Sequence, residues 1–317
     1  MKFKHTLSLV TCVYGVEEYI EQYAHSVFGQ TCTDIEYIFV NDGTKDNSIQ
    51  ILERVIDEHY AHLRSNIIIL NQINQGLPLA RKSGISLAKG DYILFADPDD
   101  WLSPNAVEEI LTKADETDAD IIYFNLVKEY GHRQSIKREK HYTAETKELW
   151  IENIFNYKSF GYCVTKCFRR SLYTDNTIYT PILGMHEDIY LMSQIIFYAK
   201  SIVQMPKVLY HYRKTNKDSM CSQSSSTRHI ASSRNLLNLY QNYMQDIANS
   251  PIRRVANGIL FRAGWHTLLH GYNFTKEYPW FVDAIRQAQM STRYQATLPQ
   301  QMLVKVAAKI SPKLFCR

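Results

Sequence analysis

A single rhythm fills the first 125 residues: short apolar runs alternate with stretches whose apolar residues recur every three or four positions. Leu7 to Val13 reads as a strand, and Val16, Tyr19, Ile20, Tyr23 and Val27 follow at helical spacing. Ile35 to Val40 is a second strand. Asp46 stands where it would cap a helix carrying Ile49, Leu52, Ile56, Tyr60 and Leu63. Asn66 to Leu70 is a third strand, and a short helix follows Gly76 to about Ala88. Tyr92 to Ala96 is a fourth strand. Ser103-Pro104 then reads as an N-cap with proline at the first helical position. Ala119 to Asn125 is a fifth strand. This alternation predicts a mostly parallel α/β sheet. Ligands of such sheets sit beyond the carboxyl ends of the strands.

Two of those ends are acidic. The fourth strand delivers Asp97, Asp99 and Asp100 in the segment FADPDDW. Three carboxylates so close repel one another unless a cation or hydrogen bonds hold them. Their oxygens suit a hard ion such as magnesium or manganese. They also suit a capped turn, with Asp100 or Ser103 meeting helix N–H groups. At the end of the second strand lies Asn41-Asp42-Gly43-Thr44. Asp42 can accept hydrogen bonds from a base or ribose, or close an Asx turn around Gly43. Arg81, in a polar cluster with Asn74-Gln75-Gly76 and Lys82, reads as a phosphate partner or as a surface arginine. The chain has no GxxxxGK[ST] loop and no GxGxxG fingerprint. Phosphatases with an aspartate nucleophile usually carry it on their first strand, and here the acids follow the fourth.

After Asn125 the rhythm changes. Residues 128–148 are polar and charged, which predicts a surface excursion. Gly161 to Tyr173 mixes apolar residues with Lys166, Arg169 and Arg170. Glu187-Asp188 opens a helical pattern with Leu191, Met192, Ile195 and Ile196. Val208 to Tyr212 is strand-like, Lys214 to Arg228 reads as a loop, and the remainder as helices.

In order, the segments SLVTCVYGVEEYI, DIEYIFVNDGTKDNSIQIL, NQGLPLARKSGISLAKGDYILFADPDDW, TKCFRRSL, HEDIY and LYHYRKTNKDSM resemble a family 2 glycosyltransferase of the bacterial polysaccharide-synthesis type, over about residues 5–215. The resemblance implies a GT-A fold: a mostly parallel central sheet flanked by helices, with a helical C-terminal extension. It implies a catalytic domain over 1–215, with a nucleotide-binding half over 1–125 and an acceptor-side half over 126–215. Residues 216–317 would form a mainly helical region. The implied reaction is transfer of a sugar with inversion, from a nucleotide-diphosphate donor, UDP-sugars being favoured, to a glycan or lipid-linked acceptor. Val13 and Tyr14 match the end of the family's first strand at the nucleotide base, Asp42 its base-binding aspartate, and Arg81 the arginine of its ARN segment. Asp97 and Asp99 match its DxD motif, with Asp99 as the direct ligand of Mn2+ or Mg2+. Glu187-Asp188 match its ED motif, whose aspartate is the candidate base. His211 to Arg213 match the tail of the region near the acceptor cleft. Lys166 and Arg169 are implied as acceptor or phosphate contacts, or are surface ion-pairing residues. Gly15 stands where the family has a side-chain amide, and Lys82 where ARN has asparagine. A non-catalytic glycan-binding or complex-forming protein on the same scaffold is the alternative.

Composition adds limits. Thirty-six basic and 32 acidic residues leave a net charge of +4, which gives no argument for nucleic acid. Six cysteines without a CxxC pair suggest a reducing compartment. The opening MKFKHTLSLVTCVYG reads as the first strand and not as a leader, so a cytoplasmic protein is expected. In the tail, Lys305, Lys309, Lys313 and Arg317 recur every four residues, against Leu303, Val306, Ile310 and Leu314. Such a segment, over 301–317, reads as a contact with a membrane surface or as a final helix packed with its lysines outward.

Overall fold

The computed structural model describes residues 3–33, 35–138, 147–155, 159, 161–181, 187–216, several positions between 233 and 241, and 253–270, 274–288, 298–310 and 315. They form two compact units. The first comprises Met1–His141, Tyr162–Ile178 and Tyr198–Ser222; the second comprises Tyr142–Gly161, Tyr179–Phe197 and Gln223–Arg317. Segments 142–161 and 179–197 thus group with the C-terminal region, and the spatial division is not a single cut at residue 215.

The first unit holds nine strands among the described residues. They are β1 (Leu7–Val13), β2 (Ile35–Asn41), β3 (Ile67–Asn71), β4 (Tyr92–Phe95), β5 (Trp101–Leu102), β6 (Ile121–Glu129), β7 (Gln134–Lys137), β8 (Lys166–Arg169) and β9 (Ile202–Arg213). Their order is β3-β2-β1-β4-β8-β6-β9-β5, with β7 paired to β6. The first four are parallel, as the alternation predicts, joined by helices α1 (Ile20–Phe28), α2 (Ser48–His59) and α3 (Leu77–Leu87). They read as apolar runs because they are buried: Leu7, Leu9, Ile38, Phe39, Ile93 and Leu94 have no exposed surface. Antiparallel pairing enters at β8, which meets both β4 and β6.

Register sets the site. Val13, Asn41 and Asn71 end β1, β2 and β3 level with one another. Phe95 pairs with Val10, so Asp97 follows beside the last residues of β1. The chain moves outward from β1 to β2 and β3, then returns to the other side of β1 as β4. That reversal opens a crevice at the carboxyl ends, where open α/β sheets bind ligands. Helix α3 lies close on the sheet because Gly84 has no side chain. A Cβ there would stand 2.4 Å from Val10 Cγ1 and 3.3 Å from Val40 Cγ2.

Several boundaries differ from the sequence expectations. A 3-10 turn, Ala61–Asn66, occupies the expected start of the third strand. Helix α4 (Ala106–Thr117) begins after Asn105 rather than at Ser103-Pro104, because the Ser103 hydroxyl donates to the Val208 carbonyl instead. Asp46 accepts the Ser48 N–H and hydroxyl, two residues from the first turn of α2, rather than standing at the cap position. The polar excursion over 128–148 contains the rest of β6 and all of β7, an edge hairpin that exposes Gln134 and Ile136. The predicted loop from Lys214 lies outside the described residues beyond Asn216.

The second unit is helical. It contains α5 (Lys147–Phe155), of which only Lys147 and Glu148 fall in the expected polar excursion, and α7 (Glu187–Tyr198) up to Phe197. The four-residue α6 (Ser171–Thr174) belongs to the first unit. Helices α8 (Arg253–His270), α9 (Phe281–Gln287) and α10 (Leu298–Ile310) enclose a core of Leu260, Phe261, Phe274, Phe281, Ile285, Val304 and Phe315. Trp150 of α5 is buried, its indole N–H donating to Ser159 Oγ at 2.7 Å.

Candidate active site at the carboxyl ends of β1, β2 and β4

The site lies in the first unit and begins with the turn after β4. Ala96 is buried, Asp97 is partly exposed, and the chain turns so that the Asp100 N–H donates to the Asp97 carbonyl at 3.1 Å. The three acids of FADPDDW then separate. Asp100 turns inward and is 1% exposed. Its Oδ2 accepts the Tyr210 hydroxyl at 2.7 Å and its Oδ1 accepts the Arg213 N–H at 2.7 Å. Burial, with the charges of Asp99 and Asp97, pushes its carboxyl well above the ordinary range. Asp97 Oδ1 receives the Arg81 guanidinium at 3.3 Å, and the Asp97 N–H donates to the Tyr210 hydroxyl at 3.1 Å. Asp99 Oδ2 accepts Asn216 Nδ2 at 2.9 Å, and its other oxygen has no partner among the described residues.

Strand β9 builds this turn. Arg213 Nε donates to the Asp99 carbonyl at 2.7 Å and Arg213 Nη2 to Gln22 Oε1 at 2.5 Å. The same guanidinium lies 4.9 Å from the Trp101 ring and 5.0 Å from the Tyr19 ring. Trp101 also stacks on His211, with centroids 5.1 Å apart and planes at 13°. His211 is fixed in turn, Nδ1 to Glu129 Oε1 at 2.8 Å and Nε2 to Ser103 Oγ at 3.2 Å. His211 and Arg213 were expected near the acceptor; the structure has them bracing the acid turn. Tyr210, Trp101 and Asn216 were missed. The signal for Tyr210 was present, since it shares the period of two with Tyr212 in a run read as a strand.

Arg81 is 3% exposed. Its guanidinium also lies 5.2 Å from the Phe95 ring, so it is a buried partner of Asp97 and not a surface helix arginine. Asp42 is 3% exposed and holds the loop before α3: Oδ1 accepts Gln72 Nε2 at 2.8 Å and the Gln75 N–H at 2.9 Å, and Oδ2 accepts the Gly76 N–H at 2.9 Å. Expected to bind a base, it is engaged in shaping the wall of the crevice. Gly43 permits that approach, with φ +68° and a hypothetical Cβ 2.8 Å from the Asn74 nitrogen. Val13 is buried, its carbonyl accepting the Asp42 N–H, while Tyr14 is exposed. Gly15, with φ +66°, donates its N–H to Thr44 Oγ1. Beside it, burial raises the Asp46 carboxyl, but hydrogen bonds from Ser48, Thr44 and the Glu17 N–H outweigh this and hold it below the ordinary range.

One expected residue lies away from the acids. Arg169 pairs with Tyr92 at the opposite end of β4 and binds Asp118, Asp120 and the Tyr92 hydroxyl. Lys166 has no exposed surface, and its ammonium donates to the Tyr162 carbonyl at 3.2 Å and to Thr165 Oγ1 at 3.3 Å. Glu187 and Asp188 belong to the second unit and open α7, where negative charge is favourable.

Among the described residues no three His, Cys, Asp or Glu side chains converge to hold a metal ion. Asp97 and Asp99 remain as two partly exposed carboxylates offering hard oxygen atoms. That set fits a magnesium or manganese ion which takes its other ligands from water or a bound phosphate, as these ions commonly do.

Comparison with known proteins agrees with this geometry. Residues 8–176 match the family model of glycosyl transferase family 2. EpsH of Bacillus subtilis (strain 168) is 34% identical over 65% of this chain and 60% of its own length. The chain therefore spans about three fifths of that relative. Among solved structures, Staphylococcus aureus TarS 1–349 in complex with UDP-GlcNAc is similar with a TM-score of 0.61 at 18% identity, covering 98% of this chain and 84% of the other. The mannosyltransferase PcManGT of Pyrobaculum calidifontis, in complex with GDP-Man and Mn2+, gives 0.54 at 12% identity, covering 98% and 81%. At such identities the likeness establishes the fold, a GT-A type of α/β sheet flanked by helices.

Proposed function

The chain belongs to glycosyl transferase family 2, and we propose that it moves a sugar from a nucleotide-diphosphate donor to a glycan or lipid-linked acceptor of bacterial surface polysaccharide. The carrying observation is the division of labour in FADPDDW. Asp100 is buried and bound by Tyr210 and Arg213, while Asp97 and Asp99 are partly exposed just beyond the carboxyl end of β4. UDP is the proposed nucleotide, by likeness to TarS, whose structure holds UDP-GlcNAc.

In this reading the base and ribose lie by Val13, Tyr14 and the 72–76 loop that Asp42 shapes, and the diphosphate lies toward Asp97 and Asp99. Breaking the sugar–phosphate bond leaves negative charge on the departing nucleotide. A divalent ion held by Asp99 and Asp97, Mn2+ or Mg2+, would supply positive charge to the diphosphate there. Arg81 fixes the Asp97 carboxylate, and the Tyr210–Asp100–Arg213 network fixes the turn that carries Asp99. A positioned acid in such a network loses less free energy to reorganisation as charge develops. Asp188 is the proposed base that takes the acceptor hydroxyl proton as that oxygen attacks the anomeric carbon, with inversion, and Glu187 supports it.

The roles separate experimentally. Asp188→Asn should abolish transfer to an acceptor while donor binding, read as quenching of the tryptophan fluorescence by added UDP, stays within about two-fold, since a base acts on the acceptor. Loss of UDP binding in that variant would remove Asp188 from the role of base.

A further inference from the structure

Nothing in the proposed reaction uses α10. One side of it closes the helical core through Gln301, Val304 and Ala308, none of which has exposed surface. The other side carries Leu298, Met302, Val306 and Ile310, each four residues beyond the last, with Leu303 alongside. They are 43, 61, 42, 80 and 57% exposed in that order. These are five of the eleven exposed large hydrophobic side chains among the described residues, gathered on one helix of 13 residues. Scattered singly they would need no explanation; a contiguous stripe does.

Charge identifies the occupant. From Ala284 to Arg317 the sequence contains Arg286, Arg293, Lys305, Lys309, Lys313 and Arg317, and no aspartate or glutamate. Lys309 is exposed on the same helix. Lys305, expected to point outward, donates to the Ala288 carbonyl at 2.6 Å. A second copy of the chain seated on this stripe would bring two acid-free basic segments together. An anionic lipid surface answers both features, accepting the apolar side chains at its acyl boundary and the cations at its headgroups. No helix among the described residues is long and apolar enough to cross a membrane, and α10, at about 20 Å, matches a helix lying in the interface plane.

We propose that the Leu298–Met302–Val306–Ile310 face of α10, with Leu303, is a docking surface for an anionic membrane. It deepens the membrane contact expected of the tail, and it stands independently of sugar transfer, because vesicle binding is read without donor or acceptor.

The test is flotation of the full-length protein with vesicles of phosphatidylglycerol and phosphatidylcholine, beside vesicles of phosphatidylcholine alone. The protein should float with the anionic vesicles and stay behind with the neutral ones, and high salt should weaken the association. Met302→Gln/Val306→Gln/Ile310→Gln changes only exposed positions and should reduce recovery by about ten-fold or more, with the helical circular dichroism unchanged. Lys309→Glu, which leaves the apolar stripe intact, should weaken binding to anionic vesicles by several-fold. An Ile136→Gln control, also exposed but on β7, should leave vesicle recovery unchanged. Absence of flotation with anionic vesicles would overturn the proposal, as would unchanged recovery of the triple variant. So would a dimer, seen by light scattering, that the triple variant dissociates, since a second copy would then be the occupant.

Discussion

Asp100 shows how neighbouring residues of one type take different roles. Three aspartates in four positions look alike in sequence, yet only Asp100 is buried. Burial and the nearby Asp99 and Asp97 raise its carboxyl well above the ordinary value of 3.8. Between that value and the raised one, the unfolded chain has released this proton and the folded chain retains it. Its contribution to stability therefore falls as pH rises through that window. Asp100→Asn, neutral throughout, should flatten that slope in urea midpoints measured across the acidic range; an unchanged slope would contradict the assignment. Arg213→Ala loses a bond to the Asp99 carbonyl and the cation at Trp101. Loss of one charge-assisted hydrogen bond of this sort, about 1.5–3 kcal/mol, should lower kcat roughly 10- to 100-fold. Arg213→Lys should recover little of it, because the ammonium lacks the planar fork. Rates within two-fold of the parent in Arg213→Ala would mean that the turn holds its shape without this brace. The acids were legible in sequence because residue type and strand end coincide, and Arg81, on α3, because it matches the ARN segment. Their partners were not, since Tyr210, Arg213 and Asn216 lie more than a hundred residues away along the chain.

Among the elements, the parallel block β1–β4 was readable because its strands are short, apolar and separated by amphipathic helices. Strand β9 was read as five residues and spans twelve, Ile202–Arg213. Its first half carries Gln204, Pro206 and Lys207, and its register with β6 shifts near Asn125, which breaks the alternation that marks a strand. Helix α5 was missed because Trp150, Ile151 and Ile154 are few buried residues in a charged neighbourhood. Arg169 takes its ion-pairing alternative, with Asp118 and Asp120: a cation near an expected site says nothing about which end of the strand it faces. The packing of α3 on the sheet gives a test at this scale. Gly84→Ala inserts a methyl group 2.4 Å from Val10 Cγ1. Overpacking of that kind should destabilise by about 1–3 kcal/mol, seen as a lower melting temperature. A melting temperature equal to the parent's would show that α3 can withdraw freely.

At the scale of the molecule, the sequence divides into two units that each bury a core, one built on a sheet and one on helices. The first carries the acids, Arg81 and the bracing strand β9. The second carries Glu187, Asp188 and the exposed face of α10. Sequence reading assigned the family and the acid-bearing strand ends, because those depend on local motifs. Acceptor identity depends on surface shape in regions of mixed composition, where no residue pattern specifies a sugar. The central claim is that Asp99 serves a metal-bound nucleotide sugar, and release of nucleoside diphosphate from a panel of nucleotide sugars tests it most directly. With Mn2+ or Mg2+ present, the parent protein should release UDP from at least one UDP-sugar. Chelation should stop the release, and Asp99→Ala should reduce it by about a hundred-fold or more. Turnover that persists in Asp99→Ala, or that is indifferent to chelation, would contradict the account.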